Sequence, residues 1–181
     1  MDRYKQNIET GIKEALKQFP DAEAVFNKVF KTMKQKANGR CKCGLPIDNY
    51  YTRIPNQFKF QCRGCRRVIS PLSVTPLRRS HKDIVETIDI ACRSYVRRKI
   101  LPPTEIAALY NYKYKTAKTK NTRIAEWMRM AIGNAGQDEE SLSINNKVCR
   151  KFSGSFSDLN SAVSGLFGAL PSLTEAMKDK V

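Results

Sequence analysis

Six cysteines offer the clearest chemistry in this sequence, and four of them stand in two close pairs. Cys41 and Cys43 form the first pair, and Cys62 and Cys65 form the second. Two thiolates in a close pair can occupy one edge of a tetrahedron, so two such pairs can enclose a structural zinc ion. The sequence therefore predicts one structural Zn²⁺ with these four residues as ligands; the alternative is four buried free thiols.

The segment that carries the two pairs lacks the helical periodicity of its surroundings. Tyr50–Ile54 and Phe58–Phe60 indicate two short strands. Two strands of this size are too small to fold alone, so metal binding would be coupled to their folding. Gly44 and Gly64 suit the tight backbone turns of metal-binding knuckles.

Catalysis at this zinc is not expected. Four cysteines fill a tetrahedral coordination sphere, whereas a catalytic zinc keeps an open position. The single histidine, His81, is interpreted as a phosphate or solvent contact, Cys92 as a small core residue and Cys149 as a free thiol. A zinc-dependent hydrolase is disfavoured because the sequence shows no nucleophile–base pair and no phosphate loop. We therefore predict that the protein is not an enzyme.

Charge points to a polyanionic partner. The chain of 181 residues has a formal net charge of +16, and residues 59–123 hold 16 Lys and Arg against 4 Asp and Glu. A run of charge is usually a solvated face, but here the excess has one sign across adjacent modules. This pattern favours nucleic-acid binding.

Helical periodicity defines the elements that must position these groups. The fold class is therefore mainly α with a small β zinc ribbon. The predicted helices cover residues 4–18, a second segment that Asp21 caps and that ends near Asn38-Gly39, residues 81–99, a short helix from Glu105 to Tyr110 that Thr104 caps, and residues 114–132.

The last two helices, joined by a tight turn at residues 111–113, have the shape of a helix-turn-helix. Such a motif places the start of its second helix in the major groove, where Lys can donate to guanine, Asn can pair with adenine, and Thr offers a hydroxyl and a methyl group. The alternative is an ordinary helical hairpin with a solvated Lys-rich face. The predicted base-reading residues are Tyr114, Lys115, Thr116, Lys118, Thr119 and Asn121.

Further basic residues on the ribbon and beside the helices would hold phosphates and set the register on the duplex. These predicted phosphate contacts are Arg63, Arg66, Arg67, Arg78, Arg79, Lys82, Lys113, Lys120 and Arg123.

Taken in order, residues 19–132 resemble the N-terminal DNA-binding region of insertion-sequence transposases that have a transposase zinc ribbon. The first knuckle here is one residue shorter than in the family. The matching motifs are Phe19-Pro20-Asp21, Cys41-Lys42-Cys43-Gly44, Cys62-Arg63-Gly64-Cys65-Arg66-Arg67, the Ser/Thr segment from Ser70 to Thr75, Arg79-Ser80, and Tyr114-Lys115-Thr116-Ala117.

The resemblance implies a zinc ribbon and a helix-turn-helix that clamp double-stranded DNA together. Such transposases continue into an RNase H-like catalytic domain, for which the 47 residues after Asn134 are too few. The resemblance therefore implies the DNA-binding half without its chemistry. The expected modules are N-terminal helices (1–38), the zinc ribbon (39–78), the helix-turn-helix (79–133), a linker (134–153) and a helical tail (154–181).

The tail carries an apolar stripe at helical spacing. It either folds back on the N-terminal helices or mediates a homodimer, which would place two recognition helices on a pseudo-palindromic site. The stripe consists of Phe156, Leu159, Val163, Leu166, Phe167 and Leu170.

Together these features predict a non-catalytic DNA-binding protein that acts as a sequence-specific transcription regulator. One alternative is a DNA-targeting subunit of a transposition or mobile-element complex, which a neighbouring nuclease gene would favour. A second is an RNA-binding zinc ribbon, in which Tyr50, Tyr51, Phe58 and Phe60 stack on bases. No apolar run is long enough to span a bilayer, and residues 1–17 lack a signal-peptide core. A cytoplasmic location is therefore expected, nucleoid-associated if the host is bacterial. Neither a membrane nor a small-molecule substrate is expected as a partner.

Overall fold

The computed structural model describes residues 3–47, 51–54, 57–80, 83–97 and 99–133, together with Phe167. Within these ranges the fold is mostly helical with one small antiparallel sheet, as the sequence predicts. A 3-10 helix at Pro71–Val74 follows the last strand. The other elements, in chain order, are α1 (Arg3–Leu16), α2 (Ala22–Lys36), β1 (Tyr51–Ile54), β2 (Lys59–Cys62), β3 (Val68–Ile69), α3 (Ile84–Val96), α4 (Pro103–Tyr110) and α5 (Tyr114–Gly133).

The N-terminal helices follow the predicted periodicity. Asp21 caps α2, because its side chain accepts a hydrogen bond from the Ala24 amide at 2.8 Å. Left-handed φ values of 52° at Asn38 and 68° at Gly39 end the helical segment where the sequence signals a stop. The stripe of α2 that faces the core consists of Val25, Phe26, Val29 and Met33.

The sheet has the strand order β1-β2-β3, and both pairs are antiparallel. The second strand was predicted at Phe58–Phe60, but it begins at Lys59 and continues to Cys62, so it delivers a cysteine of the second pair directly. The third strand, which has only two residues, was not predicted, because a segment this short shows no period-2 pattern.

The start of α4 corrects a predicted cap. Thr104 was expected to cap a helix that begins at Glu105, but the helix begins at Pro103 and Pro102 occupies the N-cap position. Proline suits the first helical position, since its fixed φ is helical and its missing N–H would have had no partner there. At the other end of α4, Asn111 has φ 52° and ψ 41°, the left-handed conformation that the predicted tight turn requires.

One apolar cluster joins the helices to the ribbon. α1 and α2 pack against α3, and α3 packs against α5. Ile47 and Ile69 extend the same cluster into the ribbon. Trp127, a core residue that the sequence analysis did not assign, is fully buried in α5.

Phe167 closes this core from the C-terminal side. Its ring stacks on Phe19 with centroids 5.0 Å apart and meets the edge of Trp127 at 5.8 Å. The contact lies within one chain, as the fold-back interpretation of the tail expects, and self-association stays a prediction. The predicted linker and the rest of the tail stripe lie outside the described residues. In the described part of the chain, none of the helices combines the length and apolar character that crossing a membrane requires.

Candidate metal centre and nucleic-acid interface

The first cysteine pair lies in a tight turn between α2 and the sheet. The Gly44 amide donates to the Cys41 carbonyl at 2.8 Å, and the Cys41 amide donates to the Leu45 carbonyl at 2.8 Å. Gly44 has φ 86°, a left-handed conformation that costs glycine little. The short Cys-x-Cys spacing therefore still closes a knuckle, and the expected role of Gly44 is confirmed.

The second pair lies at the end of β2. The Arg66 amide donates to the Cys62 carbonyl at 2.9 Å, and the Cys62 amide donates to the Arg67 carbonyl at 2.9 Å. Gly64 does not adopt a positive φ, so its role differs from the one expected. A Cβ on Gly64 would lie 2.0 Å from Cδ1 of Leu45 in the facing knuckle. A side chain at this position would therefore require Leu45 to move.

The four predicted ligands come together. All four Sγ atoms lie within 4.8 Å of one another, with Cys41 3.8 Å from Cys65 and Cys43 3.7 Å from Cys62. A tetrahedron of thiolates with metal–sulfur bonds of about 2.3 Å has edges of about 3.8 Å. Cys41 and Cys62 are buried, and Cys43 and Cys65 are exposed. Four cysteines are therefore positioned to bind one metal ion.

Cys92 belongs to a different environment. Its thiol is fully buried on α3, and burial raises its pKa to about 12. A thiol that stays protonated and enclosed is neither a metal ligand nor a nucleophile. This agrees with the predicted core role, whereas Cys149 lies outside the described residues.

The ribbon is attached to α2 by its aromatic residues. The Phe60 ring stacks on Phe30 at 4.0 Å and on Phe26 at 5.3 Å, and Phe58 lies 5.3 Å from Phe26. Arg53 of β1 adds an ion pair with Glu23, and the hydrogen bond from Arg53 lowers the pKa of Glu23. Phe58 and Phe60 are therefore packing residues, which removes two of the four aromatic side chains on which the RNA-binding alternative depended.

The predicted phosphate contacts of the ribbon lie at the surface. Arg63, Arg66 and Arg67 are exposed around the second knuckle, and Arg78 and Arg79 are exposed after the 3-10 helix. His81, Lys82 and Tyr50 lie outside the described residues.

Buried residues recur every three or four positions along α5, so one half of its circumference, the packed half, lies on the core, and the opposite half, the exposed half, faces solvent. Most of the predicted base-reading residues lie in the stretch 113–119. Tyr114 is 58% exposed, and only Ala117 faces the core in this stretch. The first turn of the helix contains no acidic residue. The exposed side chains are Lys113, Tyr114, Lys115, Thr116, Lys118 and Thr119.

Lys120 departs from its predicted role as a phosphate contact. Its side chain is 4% exposed and forms an ion pair with Asp83. The Lys120 ammonium also donates to Thr87 Oγ1 at 2.7 Å and lies 5.2 Å from the centre of the Tyr112 ring. A cation enclosed in this way is unable to reach a phosphate, so we remove Lys120 from the candidate interface.

Asn121 and Arg123 are also engaged inside the fold. Asn121 Nδ2 donates to the Leu101 carbonyl at 2.7 Å, and its side chain is half-buried. Arg123 Nη1 donates to the Arg78 carbonyl at 2.9 Å, which joins α5 to the basic segment after the ribbon. Asn121 is thereby withdrawn from base reading, while Arg123 stays partly exposed beside Arg78.

The sequence analysis missed a row of acidic residues at the start of α3 and along it, which pairs with Lys120 and with two tyrosines. The Tyr112 hydroxyl donates to Glu86, and the Tyr110 hydroxyl donates to Asp89. Burial, reinforced by these carboxylates, raises the pKa of both tyrosines. The available signal was the spacing of Asp83, Glu86 and Asp89 at intervals of three, which places their side chains along one side of a helix.

The comparisons with known proteins add no relative. No protein-family model matches this chain, and neither the curated proteins nor the solved structures give a match. The metal centre and the exposed half of α5 are the two features of the described structure that bear on function.

Proposed function

We propose that this protein binds double-stranded DNA without catalysing a reaction, through the exposed half of α5, and that a structural zinc ion holds its ribbon. The observation that carries the proposal is the division of α5. Its packed half lies on the core, while Lys115, Thr116 and Lys118 project into solvent. A helix held by one half can offer the other half to a groove, as in a helix-turn-helix.

Electrostatics supports a polyanionic partner. Residues 111–123 contain no acidic side chain. Further exposed arginines follow the second knuckle and the 3-10 helix, and Arg123 connects the latter segment to α5. Lysines and arginines that neutralise phosphates release counterions from DNA, which favours binding and makes it salt-dependent.

Duplex DNA is favoured over RNA. Sequence-specific RNA binding depends on aromatic side chains that stack on unpaired bases. Phe58 and Phe60 already stack against α2. Together with the resemblance to transposase DNA-binding regions, this supports a sequence-specific transcription regulator as the biological role.

Zinc is the metal that best fits the site. Four thiolates in a closed tetrahedral arrangement favour Zn²⁺ over the hard cations, and a full set of protein ligands is typical of structural sites. Its role would be to fold the ribbon, because the two knuckles bury few apolar residues of their own.

Elemental analysis tests the metal. The protein purified without chelator should contain one zinc per chain, and Cys62→Ser should lose it and unfold the ribbon while retaining most of the helical circular dichroism. Cys92→Ala is the matched control, since Cys92 lies outside the cluster and its loss should leave the metal in place. Metal-free protein with every thiol freely titratable would contradict the proposal.

A competition experiment tests the partner. Fluorescence anisotropy should rank duplex DNA above single-stranded DNA and RNA of the same sequence. If about six phosphates are neutralised, a log–log plot of affinity against salt should have a slope of about −5. Tighter binding to RNA than to duplex would reverse the assignment.

A further inference from the structure

The groups that the exposed half of α5 offers to DNA are less varied than its residue types suggest. The ammonium groups of Lys115 and Lys118 are hydrogen-bond donors only. The Thr119 hydroxyl donates to the Lys115 carbonyl at 3.0 Å, so its proton is engaged inside the helix. Thr119 is exposed, and it offers an outside partner its methyl group and the acceptor side of its hydroxyl oxygen.

The residue best suited to read adenine is not available on this half of α5. Asn121 was the one residue among the predicted readers able to pair with adenine through a side-chain amide, and its Nδ2 donates to the Leu101 carbonyl. No carboxylate in residues 111–123 can accept from cytosine. The hydroxyls of Tyr114 and Thr116 either donate or accept and so carry no preference between bases.

The hydrogen-bonding groups at the base edges in the major groove decide which bases fit these side chains. Guanine presents two acceptors, N7 and O6, and thymine presents an acceptor and a methyl group. Adenine and cytosine each present an amino donor, which calls for an acceptor on the protein. The two ammonium groups, which only donate, therefore match guanine, and the Thr119 methyl group matches the thymine methyl group.

We propose that the exposed half of α5 selects duplex sites in which a guanine lies close to a thymine in the major groove. This rests on the proposed function. Lys115 and Lys118 donate to guanine N7 and O6, and the Thr119 methyl group contacts the thymine methyl group. Lys115 and Thr119 are four residues apart on one helix face, about 6 Å, which places the two bases within about two base pairs.

Base analogues in the preferred duplex test the contacts one atom at a time. A preferred duplex is first selected from a random pool with the full-length zinc-loaded chain. Replacing the contacted thymine by uracil removes only the methyl group and should weaken binding about fourfold, the effect of one buried methyl group. Replacing the contacted guanine by 7-deazaguanine should weaken binding by at least as much.

Two substitutions at Thr119 give a matched pair. Thr119→Val keeps the methyl group and loses the hydroxyl, so it should retain the preference for thymine over uracil. Thr119→Ser keeps the hydroxyl and loses the methyl group, so it should bind the thymine and uracil duplexes equally. Circular dichroism should show both variants folded, because the residue is exposed and its hydroxyl bond is local to the helix.

The outcomes separate this inference from the function on which it rests. If the chain binds no duplex, the proposed function fails and the inference fails with it. If the chain binds duplex DNA but Thr119→Ser retains the thymine preference, or the selected sites lack guanine and thymine, only the inference is overturned.

Discussion

The two halves of α5 use the same residue types for opposite purposes. Lys115 and Lys118 are exposed on one half of the helix circumference, whereas Lys120, two residues further on, lies on the packed half and is buried in an ion pair with Asp83. Asn121, the next residue, donates a hydrogen bond to the Leu101 carbonyl. The difference shows that the lysines of one basic helix divide between solvent and the interior of the fold.

Burial of Lys120 follows from what α3 provides. An ammonium group leaves water only where a counter-charge and further acceptors replace its hydration. Asp83 supplies the charge, Thr87 accepts a hydrogen bond, and the Tyr112 ring adds a cation–π contact. Lys115 and Lys118 have no such surroundings in the described structure and stay at the surface.

The largest expected loss of stability follows from a substitution at Lys120. Lys120→Met keeps most of the apolar stem but leaves Asp83 without its partner, and should lower the free energy of unfolding by about 4 kcal/mol. Lys115→Met is the matched control on the exposed half and should change it by less than about 0.5 kcal/mol. Urea denaturation measures both. Equal losses in the two variants would show that the halves do not differ.

A second prediction concerns Phe167, which packs against Trp127 of α5. Phe167→Ala removes an aromatic ring from between Phe19 and Trp127 and should cost about 3 kcal/mol of unfolding free energy. Phe167→Leu, which keeps most of the volume, should cost less than about 1.5 kcal/mol. Light scattering at several concentrations should give a monomer for the wild type if the tail folds back. A dimer that Phe167→Ala dissociates would assign this contact to self-association.

Asn121 should show a smaller loss. Asn121→Ala removes the donor that satisfies the Leu101 carbonyl, and an unsatisfied buried acceptor costs about 1–3 kcal/mol. Lys118→Ala, one turn earlier on the exposed half, serves as the control and should leave thermal stability unchanged. If Asn121→Ala instead kept full stability and lost discrimination at an adenine, Asn121 would return to the group of base readers.

The smallest effect on stability and the most selective effect on binding belong to Lys115. Lys115→Ala should leave unfolding unchanged within about 0.5 kcal/mol. It should weaken a specific site by about 1–3 kcal/mol and random duplex by little. Arg66→Ala, a predicted phosphate contact, should weaken both duplexes alike. Anisotropy titrations on the two duplexes check the contrast, and equal losses on both for Lys115→Ala would contradict its role as a reader.

The sequence was most informative where the relevant contacts are local. The turn within each cysteine pair, the Asp21 cap and the left-handed Asn111 depend on residues within a few positions of one another, whereas the meeting of the two pairs spans 19 and 24 positions. For the local contacts, spacing alone is enough to fix the geometry. The start of α4 was misplaced by two residues because Thr104 and Pro103 are both strong start signals, and the structure uses the proline.

Tertiary structure decided which basic and polar side chains reach the surface. Lys120 meets Thr87 across 33 positions, Asn121 meets Leu101 across 20, and Arg123 meets Arg78 across 45. Helical spacing places Lys120 three residues after Ala117 and four before Ile124, on the packed half of α5, but the groups that compensate its buried charge lie on a distant helix. The sequence by itself determined the close cysteine pairs, the helices and the half of α5 that packs, because their spacing is set by local geometry. The partners of Lys120, Asn121 and Arg123 were decided by the tertiary structure, because distant segments supply them.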